Sequence, residues 1–309
     1  MILFTLPHYE PMAAALTKAL PGLSRGEFRV GRFDNGELNA AVRTAVAAEP
    51  CMILGSIAPP DEQLFSALLL AHTLKKEGAE TVTALLPYLA YSRQDKDTSG
   101  ESLGAALVGR LLKSAGFDRV ITADVHSAAG KRLCGVPIVS LDTATLFGDA
   151  IQRYRLTDAS IVAPDHGAIP RAKAVRAAAG MENGDVPYFE KRRTAAGIEH
   201  AGPLGKVGPR AVIVDDILDT GATLVSACEK LEQAGVREIY VMVTHGLFTG
   251  DRWKQLWRLG VQRIVCTDTL PLPGGLDTTN IDALSIAPIL RQELLYLEEH
   301  ENATAHELS

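Results

Sequence analysis

Three carboxylates crowd the end of an apolar run in AVIVDDILDTGAT, residues 211–223: Asp215 and Asp216 are adjacent and Asp219 follows three residues later. Carboxylates gathered like this can accept hydrogen bonds from sugar hydroxyls, directly or through a divalent cation. The next residues are Thr220, Gly221, Ala222 and Thr223. A helix starting around Thr220 would offer an anion its free backbone N–H groups and the positive end of its dipole. Thr220 and Thr223 add hydroxyl donors, and Gly221 lets the backbone come close. The implied chemistry is a phosphorylated sugar held at both ends. The plain alternative is a capped helix with solvated acids.

Five further stretches carry groups that could react or bind. FEKRR places Lys191, Arg192 and Arg193 at the end of a short expected strand and opens TAAGIEHAGPLGKVGPR, a Gly-rich excursion that fits a mobile lid. PYLAYSRQDK puts Arg93, Gln94 and Asp95 after another strand. In ADVHS, Asp124 and His126 are two apart on an expected strand, so both should point the same way. APDHGA holds Asp165 and His166, and RFDNGEL holds Phe33, Asn35 and Glu37. Taken singly, a Lys-Arg-Arg run is more often a solvated face, RQDK a polar loop and a lone His a structural residue. Trp253 and Trp257, at helical i,i+4 spacing, read as core or interface residues.

These stretches need a scaffold, and the chain supplies a repeating one. Apolar runs such as CMILGSI, TVTALLPY, AVIVDDI and EIYVMVTHG alternate with helical patterns, the rhythm of βαβ units and a parallel sheet. Their apolar continuity predicts strands covered on both faces. Sliding the sequence by 157 residues sets Leu68 on Val225, Leu74 on Leu231, Gly78 on Gly235 and Val82 on Ile239. We therefore expect an α/β protein of two similar domains, 1–143 and 144–309, each a mostly parallel sheet flanked by helices, with the last helix free to pack back on the first domain. In that ungapped register Ala58 and Pro59 stand where Asp215 and Asp216 do, so the fold does not demand the acids.

Composition narrows the classes. A net charge of −6 argues against a nucleic-acid-coating surface, so a phosphate site must be local. Four widely spaced cysteines, without CxxC or zinc spacing, read as buried thiols of a cytoplasmic chain. No signal peptide or membrane-spanning run is evident in the sequence.

The strand, Asp-Asp, two residues, Asp-Thr-Gly-x-Thr pattern resembles the phosphoribosyl-pyrophosphate motif of type I phosphoribosyltransferases and of ribose-phosphate pyrophosphokinases. The other stretches favour the pyrophosphokinase family, and the resemblance runs from about Arg32 to Pro271 and includes THGLFTG at 244–250. It implies that ATP and ribose 5-phosphate become 5-phosphoribosyl 1-pyrophosphate and AMP. It assigns the sugar phosphate to Asp215, Asp216, Asp219 and Thr220 through Thr223. Lys191, Arg193 and Asp219 become catalytic groups, the two cations neutralising charge between the transferred diphosphoryl group and its departing oxygen. ATP would be held by Phe33, Asn35, Glu37, Arg93, Gln94, Asp95 and His126, and Mg2+ by His126 and Asp165. His166 receives no role. The first of these ATP segments would come from a neighbouring subunit, which implies a homo-oligomer, dimer or hexamer, with no nucleic-acid or membrane partner. Two departures stand out. Asn35 replaces the family's Asp, which weakens an acceptor for the adenine amine and loosens nucleotide selectivity. DTSGESLGA after RQDK is shorter than the basic stretch of ADP-inhibited members, so ADP regulation should be weak or absent. The rival readings are a phosphoribosyltransferase and a non-catalytic or altered-specificity paralogue.

Overall fold

The structure is a computed structural model that describes residues 1–182, 184–194, 197–200 and 205–307, with the side chains of 191–200 and 300–307 outside the description. Two compact units emerge: Met1–Leu141 together with the chain from Ala287 onward, and Asp142–Ile286.

Unit one opens with β1 (Ile2–Thr5), α1 (Glu10–Ala19) and the short β2 (Ser24–Arg25). A hairpin of β3 (Phe28–Arg32) and β4 (Leu38–Val42) follows. Then come β5 (Cys51–Leu54), α2 (Glu62–Lys76), β6 (Val82–Leu85), α3 (Gly104–Ala115), β7 (Arg119–Ala123), α4 (Ala128–Leu133) and β8 (Ile138–Leu141). The sheet runs β2-β1-β5-β6-β7-β8, and every neighbouring pair is parallel. Residues of β1, β5 and β6 are buried without alternation, as strands with helices on both faces must be.

Unit two contains α5 (Ala144–Arg153), β9 (Ser160–Val162), α6 (Ile169–Ala178), and a hairpin of β10 (Lys191–Thr194) and β11 (Gly197–His200). After it come β12 (Arg210–Leu218), α7 (Ala222–Gln233), β13 (Glu238–Gly246), a 3-10 stretch at Arg252–Leu259, β14 (Val261–Thr267) and β15 (Ile281–Leu284). Its five strands run β15-β14-β13-β12-β9, again all parallel. Alternate residues of β12 serve two cores. Ala211 and Ile213 pack with Leu224, Cys228 and Trp253 on one face, while Val212 and Val214 pack with Phe147, Ala172 and Val175 on the other. Truncating a ring as buried as Phe147 would cost about 3–5 kcal/mol. The C-terminal helix α8 (Ala287–Glu307) belongs to unit one, where Arg291 Nε donates to the Ala19 carbonyl.

Strand order makes the duplication concrete. β1-β5-β6-β7-β8 and β9-β12-β13-β14-β15 are the same sequence of neighbours, and each unit places a two-stranded hairpin before the second strand of that series, β3–β4 before β5 and β10–β11 before β12. The register differs from the ungapped one, however. Cys51 pairs with Val82 and Ala211 with Ile239, so unit one spends three more residues between the two strands. Asp215 and Asp216 therefore correspond to Gly55 and Ser56, not Ala58 and Pro59. All four cysteines are buried and free.

One local expectation is corrected. β7 stops at Ala123, and Asp124 takes a left-handed φ of 44°, so Asp124 and His126 do not share a strand face. The turn forms because the Asp124 N–H donates to the Leu141 carbonyl at 3.0 Å and the Val125 N–H to Ser140 Oγ at 3.1 Å. Asp is among the few residues that tolerate this conformation. The short strand expected at FEKRR is present as β10, formed by the basic run and ending one residue on at Thr194.

Candidate functional site

The acidic corner forms where β12 outruns its counterpart β5. Asp215 pairs in register with Val243 of β13, and the Asp216 N–H donates to Asp215 Oδ1 at 2.9 Å. Asp216 is only 7% exposed, and Asp215 is half-buried. Desolvation pushes the Asp215 carboxyl well above the usual range, and the charges of Asp216 and Asp165 push it further. Arg171 on α6 acts in the opposite direction. At Asp215 two neighbouring carboxylates thus act against one guanidinium, and sugar hydroxyls or a cation would ease that repulsion. Arg171 escaped the sequence reading because nothing in its local pattern marks it; only the fold brings α6 to the end of β12.

Beyond the acids the chain turns sharply. The Leu218 carbonyl accepts from the N–H groups of Leu247 and Phe248, and the Asp219 carbonyl from Thr249 N–H at 3.1 Å. Gly221, which has no side chain to offer, then caps α7 with φ 81°. A Cβ there would lie 2.7 Å from the Trp253 backbone, so strain and collision both demand glycine. The helix begins at Ala222 rather than Thr220, and its first turn holds no acid. Thr223 is half-buried and Thr220 exposed. The result is an open, positively polarised helix start directly after the acids.

Asp165 heads the 3-10 turn His166–Ala168, accepting from the Ala168 N–H at 3.2 Å. His166 is exposed and meets the Tyr188 ring edge-on at 5.7 Å, a local contact. Lys191, Arg192 and Arg193 lie along β10, whose partner β11 runs beside α7. Their side chains fall outside the described residues. Among the described residues, no group of three or more His, Cys, Asp or Glu is arranged to hold a metal. That is compatible with magnesium, which commonly takes one or two carboxylates and completes its shell with water and substrate phosphates.

In unit one, the three expected nucleotide segments are tied to one another. Phe33, Asn35 and Glu37 form the turn of the β3–β4 hairpin, where Phe33 is 57% exposed. The Asn35 side-chain oxygen accepts from the Glu37 N–H at 3.1 Å, an Asx-type turn. Arg32 donates to the Gly36 carbonyl at 2.6 Å and also pairs with Glu62 at the start of α2. Asp61, the residue before it, accepts from the Tyr91 hydroxyl of the PYLAYSRQDK loop. Within that loop Arg93 and Gln94 are exposed, and Gln94 Oε1 accepts from Ser102 Oγ at 2.8 Å. Asp95 accepts from Ser127, the residue that caps α4 after exposed His126. Asp95 therefore fastens the Arg93 loop to the His126 loop.

Comparison with known proteins agrees with this arrangement. Residues 1–116 match the N-terminal domain of ribose phosphate pyrophosphokinase, and residues 164–303 match the phosphoribosyl synthetase-associated domain. The ribose-phosphate pyrophosphokinase of Caldanaerobacter subterraneus subsp. tengcongensis is 32% identical over 287 residues, covering 90% of this chain and 89% of that protein. That of Haemophilus ducreyi is 30% identical over 290 residues, 92% of this chain and 91% of the relative. The crystal structure of phosphoribosylpyrophosphate synthetase from Mycobacterium smegmatis superposes with a TM-score of 0.84 at 26% identity, over 97% of this chain and 99% of that one. An acidic corner, an open helix start and two units of matching strand order thus occur in a chain that belongs to the ribose-phosphate pyrophosphokinase family.

Proposed function

We propose that this chain transfers the diphosphoryl group of ATP to the anomeric hydroxyl of ribose 5-phosphate, forming 5-phosphoribosyl 1-pyrophosphate and releasing AMP. The observation that carries the proposal is the pairing of half-buried Asp215 and buried Asp216 with the glycine-capped start of α7, whose first turn holds no acid. The carboxylates of Asp215, Asp216 and Asp219 accept from the ribose hydroxyls. The loop from Thr220 to Thr223 surrounds the 5-phosphate with backbone N–H groups. The anomeric oxygen attacks the β-phosphorus in line, the bond from that phosphorus to the oxygen of the α-phosphate breaks, and the hydroxyl proton passes to solvent. No side chain need act as base, because alignment and charge stabilisation carry this class of transfer.

Lys191 and Arg193 lie on a hairpin that runs beside α7, which supports their role in neutralising the charge that builds up on the transferred group. In unit one, Phe33 offers an exposed ring for the adenine, Asn35 and Glu37 its polar edge, and Arg93, Gln94, Asp95 and His126 the remaining nucleotide contacts. An exposed aromatic ring at a hairpin tip supports completion of the ATP site by a second subunit, hence a homo-oligomer. Magnesium, when bound with ATP, screens the phosphate charge. His126 in unit one and Asp165 in unit two are the proposed contacts. No helix among the described residues is long and apolar enough to cross a membrane. The cytoplasm is the proposed compartment.

A coupled assay for AMP decides the matter. AMP release from ATP that requires ribose 5-phosphate is expected. Release without the sugar, or none with it, would overturn the proposal. A reaction that instead consumes 5-phosphoribosyl 1-pyrophosphate would mark a phosphoribosyltransferase.

A further inference from the structure

The segment after β13 and the chain between β14 and β15 enclose a cavity of ≈ 520 Å³, within the size range of small-molecule sites. The chain has two tryptophans, Trp253 and Trp257, and both line it. Phe248 meets Trp253 edge-on at 5.0 Å, and Trp253 meets Trp257 edge-on at 6.3 Å. Trp253 is a fixed floor: it is 3% exposed, and its indole N–H donates to the Gly250 carbonyl at 2.9 Å. Trp257 is half-buried and offers ring surface to the cavity. Two perpendicular indoles make a corner that a flat ring can fill, stacked on one and edge-on to the other.

The rim carries Lys254, Asp277 and Asn280. Lys254 also pairs with Asp251 at 2.5 Å, and Asp277 accepts from Thr279. Lys254 is already answered by Asp251, and Asp277 adds a second carboxylate, so the rim disfavours a phosphate. Instead it both donates and accepts. The chemistry that fits is a flat aromatic ring joined to a polar end without net charge, as in a nucleoside lacking phosphate or an aromatic amino acid.

The same floor touches the sugar-phosphate loop, because the Trp253 backbone occupies the space a Cβ on Gly221 would need. We propose that this cavity is an effector site for such a molecule, and that it changes the affinity for ribose 5-phosphate through the Trp253–Gly221 contact. The binding half of the proposal is independent of the function proposed above. The coupling half rests on it.

Both halves are read by the protein's own fluorescence, since every tryptophan lines the cavity. Titrating the full chain with adenosine in one arm and L-phenylalanine in the other should give a saturable change with one of them. The Trp257→Leu and Asp277→Ala variants should each weaken that binding by about tenfold or more. Their turnover without effector should stay at the wild-type level, a check on folding. No saturable change in either arm up to about 1 mM, or unaltered affinity in both variants, would overturn the site. Linkage requires that ribose 5-phosphate shift the effector's affinity by the same factor that the effector shifts the sugar's. Titrations with and without the sugar that coincide would overturn the coupling, while failed AMP release would leave the fluorescence result standing.

Discussion

Both units thread a strand into a helix at the same point of their sheets, yet the two helix starts are built for opposite ends. In unit one the strand stops at Leu54, and α2 opens with Asp61 and Glu62. Negative side chains already occupy the positive pole of that helix, and both are engaged, Asp61 with Tyr91 and Glu62 with Arg32. In unit two the acids sit earlier, at Asp215 and Asp216 on the strand, and α7 starts with Gly221 and Ala222, with no acid in its first turn. The same fold thus sets carboxylates at one helix start, while the first turn of the other holds no acid and is the place proposed for the sugar's phosphate. The proposed function therefore rests on the few residues at the turn and not on the fold that repeats.

The hairpins differ in the same spirit, and here the largest effect is expected. β3–β4 ends in an aromatic, amide and carboxylate turn, whereas β10–β11 carries Lys191 and Arg193. Lys191→Ala should lower kcat by about 10²–10³, the usual loss when a group stabilising transition-state charge is removed, with ATP affinity little changed. Phe33→Ala should do the reverse, weakening ATP with a smaller effect on kcat. Steady-state kinetics with equilibrium nucleotide binding would separate the two. If Lys191→Ala weakened ATP binding as much as turnover, the division of labour between hairpins would be wrong.

The helix starts can be made alike. Ala222→Glu gives α7 the residue that Glu62 supplies at the first position of α2. A carboxylate at this pole stabilises a helix by about 0.3–1 kcal/mol. It would also occupy the position proposed for the 5-phosphate, so the KM for ribose 5-phosphate should rise by about tenfold or more while the ATP KM stays put. Unchanged sugar kinetics would show that the phosphate binds elsewhere.

Burial of the acids makes unit two sensitive to pH in a way Gly55 and Ser56 cannot make unit one. The folded Asp215 carboxyl has a raised pKa, so between its unfolded and folded values the native state holds the extra proton. Stability is then highest below the unfolded pKa and falls as pH rises through the window, by about 1.4 kcal/mol per pH unit at most. Denaturant melts of ligand-free protein in chelator should show Asp215→Asn more stable than wild type at neutral pH, with the difference vanishing in acid. The same variant should lose activity, the trade expected where a site stores destabilising charge. A wild type more stable than the variant at neutral pH would mean Arg171 outweighs desolvation.

The acidic corner was legible in sequence because its pieces are contiguous: strand, acids and glycine turn fall within thirteen residues. The two-faced strands were legible for a similar reason, since burial on both sides leaves an unbroken apolar run such as AVIV. What could not be read were contacts between distant segments. Arg171 reaches the field of Asp215 from 44 residues away in sequence, and Asp95 meets Ser127 across 32. The repeat was visible, but its register slipped by three residues because the longer connection in unit one contains no pattern to align. Asp124 was misplaced on a strand since only the hydrogen bonds from β8 reveal the left-handed turn.

The smallest expected effect concerns how unit one uses the acids that close α2. Arg32 holds the hairpin turn through the Gly36 carbonyl and the helix start through Glu62, so Glu62 anchors the turn proposed to bind the nucleotide. Both partners are about half-exposed, and pairs of that kind contribute about 0.2–1 kcal/mol. Arg32→Glu should therefore raise the ATP KM by about two- to fivefold, through loosened placement of Phe33 and Asn35, with the KM for ribose 5-phosphate unmoved. Adding Glu62→Arg restores the opposite charges in reversed order and should recover most of the loss. Recovery would identify a positioning pair, because a residue that contacts the nucleotide directly would gain nothing from a partner placed behind it.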